Sequence, residues 1–369
     1  MSRKTNIISN VLSIAITLGS LLAVVMICNQ NFYTDNTLKV FAWFALGALL
    51  GGLINAFAHE LGHVIVGKKN GYVFYSMSVW FFKWTKPKKK IRFSFTLPLD
   101  EAGYTEMIPT RTDNVAKRHR SMTLGGTYAG VIVFLLSIPS FFLMNKLGFE
   151  LFVLWAMLCP MSVYYITGNI FPMSSYGVRN DGAVAYGLKK MDFTSVVTTA
   201  LLTCQAQMYA GKTPSELDEK LLFDLPQLAE DDPVFVNLLS MRYNYYLDKG
   251  DFANAKSITD RLMTIVDDIP KAYAYAVKTD ALYNACTFDF NEELADDLTY
   301  ELEKYLNNVN SVTNVRAKLA YILYVRKENQ TLDIFYKKGL KEADRCKIKG
   351  QGVFERKLFE KMKEDFPKE

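Results

Sequence analysis

Four long, strongly apolar stretches of this chain contain no charged residue: 7–28, 40–58, 121–143 and 151–177. Each is about as long as the roughly 20 residues a helix needs to cross bilayer hydrocarbon. A backbone in lipid must satisfy its own N–H and C=O groups, so runs of this kind fold as helices. The chain therefore reads as a multi-pass membrane protein with about four spans. Its average composition, half apolar and 22% charged over 369 residues, hides this segregation and excludes a disordered or fibrous chain. The first run is longer than a signal-peptide core and no small-residue cleavage site follows it, so it reads as a retained span.

Basic residues set the expected orientation. Arg3 and Lys4 precede the first run, and residues 29–37 contain no Lys or Arg. About a dozen Lys and Arg crowd residues 68–120, and Arg179, Lys189 and Lys190 follow the fourth run. This pattern places both termini on the cytoplasmic side, with a bacterial plasma membrane as the expected location. Residues 184–210 offer a further interfacial helix. The net charge of +5 is too mild, and too little interleaved with stacking aromatics, to point to nucleic acid. Five scattered cysteines without a C-x-x-C pair suggest neither a disulfide framework nor a cysteine metal site.

Between the second and third runs the pattern turns from helical to extended. Residues 72–80 and 91–97 are aromatic and β-branched and flank Lys86-Pro87-Lys88-Lys89-Lys90. They predict a β-hairpin at about 72–97, entered through an Asn70-Gly71 turn. Such a ribbon serves either as a structural cover or as an edge strand for an extended substrate. From about Asp192 the composition is that of a soluble helical region, with charges on most helical turns beyond Gly211. Residues 243–263 look like one tetratricopeptide unit, with Gly250 at the turn, Phe252 and Ala255 in the second helix and Pro270 closing the unit. Weaker echoes follow at 283–306 and 317–343, and a plain helical bundle is the alternative. The expected fold class is mainly α: a polytopic bundle of about four spans with a small β-hairpin insertion, plus a cytosolic α-helical repeat domain. The segments are 1–37 (first span and loop), 38–190 (membrane core) and 191–369.

Of three histidines in the chain, two lie in His59-Glu60-Leu61-Gly62-His63. Positions i and i+4 share a helix face, so both imidazoles reach one cation, with Glu60 beside them. Two imidazoles plus a carboxylate suit Zn2+ with one position left open. Ionisable groups at membrane depth are costly unless paired or metal-bound. Upstream, Gly47, Gly51 and Asn55 lead to His59 and His63 at four-residue spacing, a small-residue stripe that lets helices approach closely. For a third ligand, His119 reads as a solvated member of the basic run 117–120. Asp181, in Asn180-Asp181-Gly182 after the fourth run, is the better candidate, although Asp-Gly alone marks a turn.

His59-Glu60-Leu61-Gly62-His63 at the end of a span, Asn169-x-x-Pro172 and then Asp181-Gly182 resemble the site-2 protease family of intramembrane zinc metalloproteases. The resemblance covers roughly residues 38–188. Gly103-Tyr104-x-x-Met107 and Leu124-Gly125-Gly126 are similar to further stretches of that family. The resemblance implies that His59, His63 and Asp181 bind zinc and that Glu60 is general base and then acid. It also implies that Asn169 and Pro172 position the substrate. This chain departs from the family in the length of the insert 173–180 and in Asn180, where members usually have leucine. No PDZ-like segment is present in the sequence pattern.

These readings lead to an intramembrane zinc endopeptidase that cuts transmembrane or membrane-associated peptides, working in the lipid bilayer. A protein partner on the C-terminal helices is compatible with it. The competing reading is a non-proteolytic membrane protein that recruits a peptide or a transporter through those helices. A transporter is a weaker third, because the spans contain no internal repeat.

Overall fold

The computed structural model describes residues 3–86, 90–95, 103–175, 178–308 and 311–367. The chain divides into two compact units, Met1–Met107 with Ala116–Met191, and Ile108–Val115 with Asp192–Glu369. Each is built mainly of helices.

The first unit opens with α1 (Arg3–Asn31) and α2 (Thr37–Lys69), where the Asn36 side chain caps α2 by accepting from the Lys39 N–H at 2.9 Å. Next come α3 (Val115–Thr123), α4 (Gly125–Ser137), α5 (Pro139–Leu143), α6 (Phe149–Ala156) and α7 (Leu158–Ile170). Four helical stretches are long and apolar enough to cross a membrane: Lys4–Asn31, Thr37–Lys69, Val115–Lys146 and Phe149–Ile170. They match the four uncharged runs, except that the fourth helix stops at Ile170 and the rest of its run leaves the helix.

One face of α2 carries Gly47, Gly51, Asn55, His59, His63 and Gly67, all buried. Gly47 and Gly51 lie against Met157 and Met161, so α2 runs close to α6 and α7. Polar pairs join the helices where apolar contact alone gives no register. The Ser162 hydroxyl donates to Asn55 Oδ1 at 2.9 Å, and Ser13 and Thr167 hydrogen-bond at 2.8 Å.

The extended region is larger than the expected hairpin. Four strands, β1 (Tyr72–Val79), β2 (Phe82–Thr85), β3 (Arg92–Phe95) and β4 (Gly103–Pro109), form one sheet in the order β3-β2-β1-β4. The hairpin partner of β1 is β2, not the 91–97 segment, with Val79 opposite Phe82. Trp80 takes a positive φ of 52°, which turns the chain within two residues and lets β2 intervene. Residues 96–97 of the expected second strand lie outside the described residues. Tyr72, Phe74 and Met77 of β1 pack with Val64 of α2 and Met107 of β4 in one apolar cluster, which seats the sheet on the second half of α2.

After α7 a short ladder of β5 (Ser174–Ser175) and β6 (Val178–Arg179) precedes α8 (Asp181–Lys190). The expected helix over 184–210 is divided: α8 ends at Lys190, Met191 after it lies in the left-handed region, and α9 (Phe193–Ala210) follows.

The second unit continues from α9 through α10 (Lys220–Phe223), α11 (Pro233–Lys249), α12 (Phe252–Met263) and α13 (Lys271–Cys286). It is completed by α14 (Glu292–Glu301), α15 (Glu303–Asn308), α16 (Val312–Ala320), α17 (Asn329–Ala343) and α18 (Lys349–Glu364). Gly250 turns the chain between α11 and α12, and Ala255 is fully buried as expected. At its centre Arg316 is wholly buried, donating to both Glu355 oxygens at 3.1 Å and to Asp280 at 2.8 Å.

Candidate metal centre

His59 and His63 project from the same face of α2, one turn apart, with their Nε2 atoms 3.1 Å from each other. Asp181 is the first residue of α8, and its Oδ2 lies 3.1 Å from His59 Nε2 and 3.2 Å from His63 Nε2. The three atoms form a nearly equilateral triangle. Donors bound tetrahedrally to zinc at about 2.0–2.1 Å lie roughly 3.3 Å apart, so the triangle has the size of one face of that tetrahedron. His59, His63 and Asp181 are the residues that would hold such an ion.

Hydrogen bonding prepares His63 for this role, whereas the buried Nδ1 of His59 has no hydrogen-bond partner among the described residues. His63 Nδ1 lies 3.0 Å from the Met122 carbonyl. A carbonyl only accepts, so Nδ1 carries the proton and Nε2 presents its lone pair. Asp181 Oδ2 is buried and makes no conventional hydrogen bond. Convergence of a carboxylate and two imidazole nitrogens, with no competing donor, is what a divalent cation stabilises.

Close backbone approach makes the geometry possible. A Cβ on Gly125 would lie 2.6 Å from the Gly62 carbonyl oxygen, and one on Gly126 would enter the His59 ring. Glycine at these positions lets α4 cross α2 in contact with the ligands. At Gly182 a Cβ would stand 2.5 Å from the Ile170 carbonyl oxygen, so the glycine after Asp181 lets α8 start directly against the end of α7.

Glu60 is buried beside the triangle. Its Oε2 accepts a 2.6 Å hydrogen bond from the Thr105 hydroxyl. Thr105 lies on β4, and a Cβ on neighbouring Gly103 would come within 2.5 Å of Glu60 Oε1. The edge strand β4 thus rests on the carboxylate. Tyr165 of α7 places its ring 6.0 Å from that of His59.

The sequence candidates divide accordingly. His59, His63 and Asp181 come together, with Glu60 adjoining them. Asn169 turns its amide back to the Tyr165 carbonyl at 2.9 Å, and Pro172 occupies the turn after α7. His119 is not the solvated basic-cluster residue expected: it is partly buried, with Nδ1 3.3 Å from the Tyr72 hydroxyl. Packing of α3 over β1 turns it inward. Thr105 and the Met122 carbonyl were not singled out from sequence. Tyr104-Thr105-Glu106-Met107-Ile108 is rich in strand-forming residues and carried a signal for β4; a carbonyl contact carries none. No protein-family model, curated protein or solved structure matches the chain.

Proposed function

We propose that the chain is an intramembrane zinc endopeptidase of the site-2 protease type, inserted through its four apolar helices with both termini cytoplasmic. The observation that carries the reading is the triangle of His59 Nε2, His63 Nε2 and Asp181 Oδ2, sized for zinc, with the Glu60 carboxylate next to it. A structural metal site has no use for that carboxylate, which favours catalysis over the non-proteolytic alternative.

When bound, zinc supplies Lewis acidity for attack on a peptide carbonyl and for stabilising the developing oxyanion. His59, His63 and Asp181 hold the ion, and the ionised Asp181 offsets part of its charge. Glu60 takes the proton of the attacking water and delivers it to the leaving amine. Thr105 fixes one Glu60 oxygen and leaves the other for proton transfer. A substrate helix hides its carbonyls in its own hydrogen bonds and must unwind before attack. The strand nearest Glu60 is β4, at the sheet edge, so main-chain pairing along β4 would hold the opened segment beside the base. The C-terminal helices are read as a tetratricopeptide-like surface for a protein partner.

Glu60→Gln separates the readings. Purified variant protein should keep stoichiometric zinc, while cells carrying it should accumulate uncut membrane peptides detectable by proteomics. Unchanged peptide profiles, or a wild-type protein that holds no metal, would overturn the proposal.

A further inference from the structure

The insert between Pro172 and Asp181 closes on itself. Ser174 pairs with Arg179 and Ser175 with Val178, and the Asn180 N–H donates to the Met173 carbonyl at 3.0 Å. These pairings make a small ladder, and its base is the point from which Asp181 departs.

At that base the Asn180 side chain uses all its hydrogen-bonding capacity. Its Nδ2 donates to the Gly168 carbonyl at 2.7 Å and to the Phe171 carbonyl at 2.8 Å. Its Oδ1 accepts from the Met173 N–H at 2.9 Å and from the Ala183 N–H at 2.9 Å. One carboxamide thus ties the last turn of α7, the start of the insert and the first turn of α8. The same α7 is registered on α2 by the Ser162 bond to Asn55, one helical turn before His59. A leucine could not make any of these four bonds.

We infer that Asn180 is the positioning residue that sets the Asp181 carboxylate at coordinating distance from the two imidazoles. The inference rests on the metal-centre reading above. Asp181 follows Asn180 directly, so any slack between Asn180 and α7 becomes slack in Oδ2. Ligand geometry tolerates only a few tenths of an ångström, and loss of an outer-shell partner costs 10- to 100-fold in metal affinity.

The experiment uses the full chain in detergent. Zinc is removed with a chelator and the dissociation constant is measured by competition with a chromogenic chelator. Thermal unfolding of the metal-free protein is followed in parallel. Asn180→Ser keeps the helix cap toward Ala183, since serine caps about as well as asparagine, but cannot reach Gly168 and Phe171. It should bind zinc about 10- to 100-fold more weakly with little change in metal-free Tm, and Asn180→Ala should lose at least as much affinity. Asn6→Ala is the control. It removes the two bonds of Asn6 to Ser174 on the outer side of the ladder, at 2.7 and 3.0 Å, without touching Asn180, and should leave zinc affinity unchanged. Wild-type affinity in Asn180→Ser, or an equal loss in Asn6→Ala, would reject the positioning role. If the wild type takes up no stoichiometric zinc, the metal-centre reading fails first and this inference falls with it.

Discussion

Thr105 and Asp181 test different halves of the proposed chemistry. The Thr105 hydroxyl touches the base and not the ligands, so Thr105→Val should leave zinc content intact. A hydrogen bond to a charged group contributes about 1.5–3 kcal/mol, so the variant should cut about 10- to 100-fold more slowly, with Thr105→Ser restoring most of the rate. The measurement is turnover of a peptide that accumulates in Glu60→Gln cells, alongside zinc analysis. An equal loss of zinc and activity in Thr105→Val would show that the threonine holds the fold and not the base. Asp181→Ala removes one of three ligands, and the purified protein should emerge without stoichiometric zinc. Undiminished metal content would remove Asp181 from the ligand set.

Among elements, the crossing of α2 and α4 and the buried polar groups of the second unit each carry a prediction. A methyl on Gly62 would run into the Gly125 backbone, a collision no rotamer change relieves. Gly62→Ala should cost about 1–3 kcal/mol by overpacking and lower zinc occupancy, read by thermal unfolding and metal analysis in detergent. In the second unit, Asp248 accepts from Ser215 N–H and Oγ at 2.9 and 2.6 Å and from Lys357 at 3.0 Å. Burial pushes its carboxyl up, but the Ser215, Thr213 and Lys357 hydrogen bonds outweigh this and hold it below the usual carboxylate range. A depressed folded-state value means stability that is present above about pH 4 and lost as pH falls further. The gap in Tm between wild type and Asp248→Asn should thus be widest at neutral pH and shrink below pH 4. A gap independent of pH would sink that account. Arg316→Met leaves Glu355 and Asp280 buried without their cation, and should destabilise the chain by about 3–5 kcal/mol in denaturant unfolding.

For the whole molecule, the proposed insertion predicts which surfaces meet which compartment. In a chain stripped of its five native cysteines, Tyr33→Cys should react with a membrane-impermeant maleimide in intact cells. Lys90→Cys should react only after permeabilisation, and the reverse pattern would invert the topology. The apolar uncharged runs already specify the four long helices, because each satisfies its backbone hydrogen bonds within one segment, and the His59-to-His63 spacing specifies a shared helix face. These are local properties, read within one or two turns. The approach of Asp181 to the two imidazoles was legible only as a candidate, since Asp181 lies more than a hundred residues from His63 and an Asp-Gly pair also marks turns. Folding decided that β4, and not the 91–97 segment, reaches Glu60, because strand order depends on a turn at Trp80 that composition does not announce. It also decided that the residues before Asp181 pair as a short ladder, tied at its base by an asparagine whose four partners are spread from Gly168 to Ala183. Local pattern sets which elements form; which distant groups converge is set by packing that no single segment encodes.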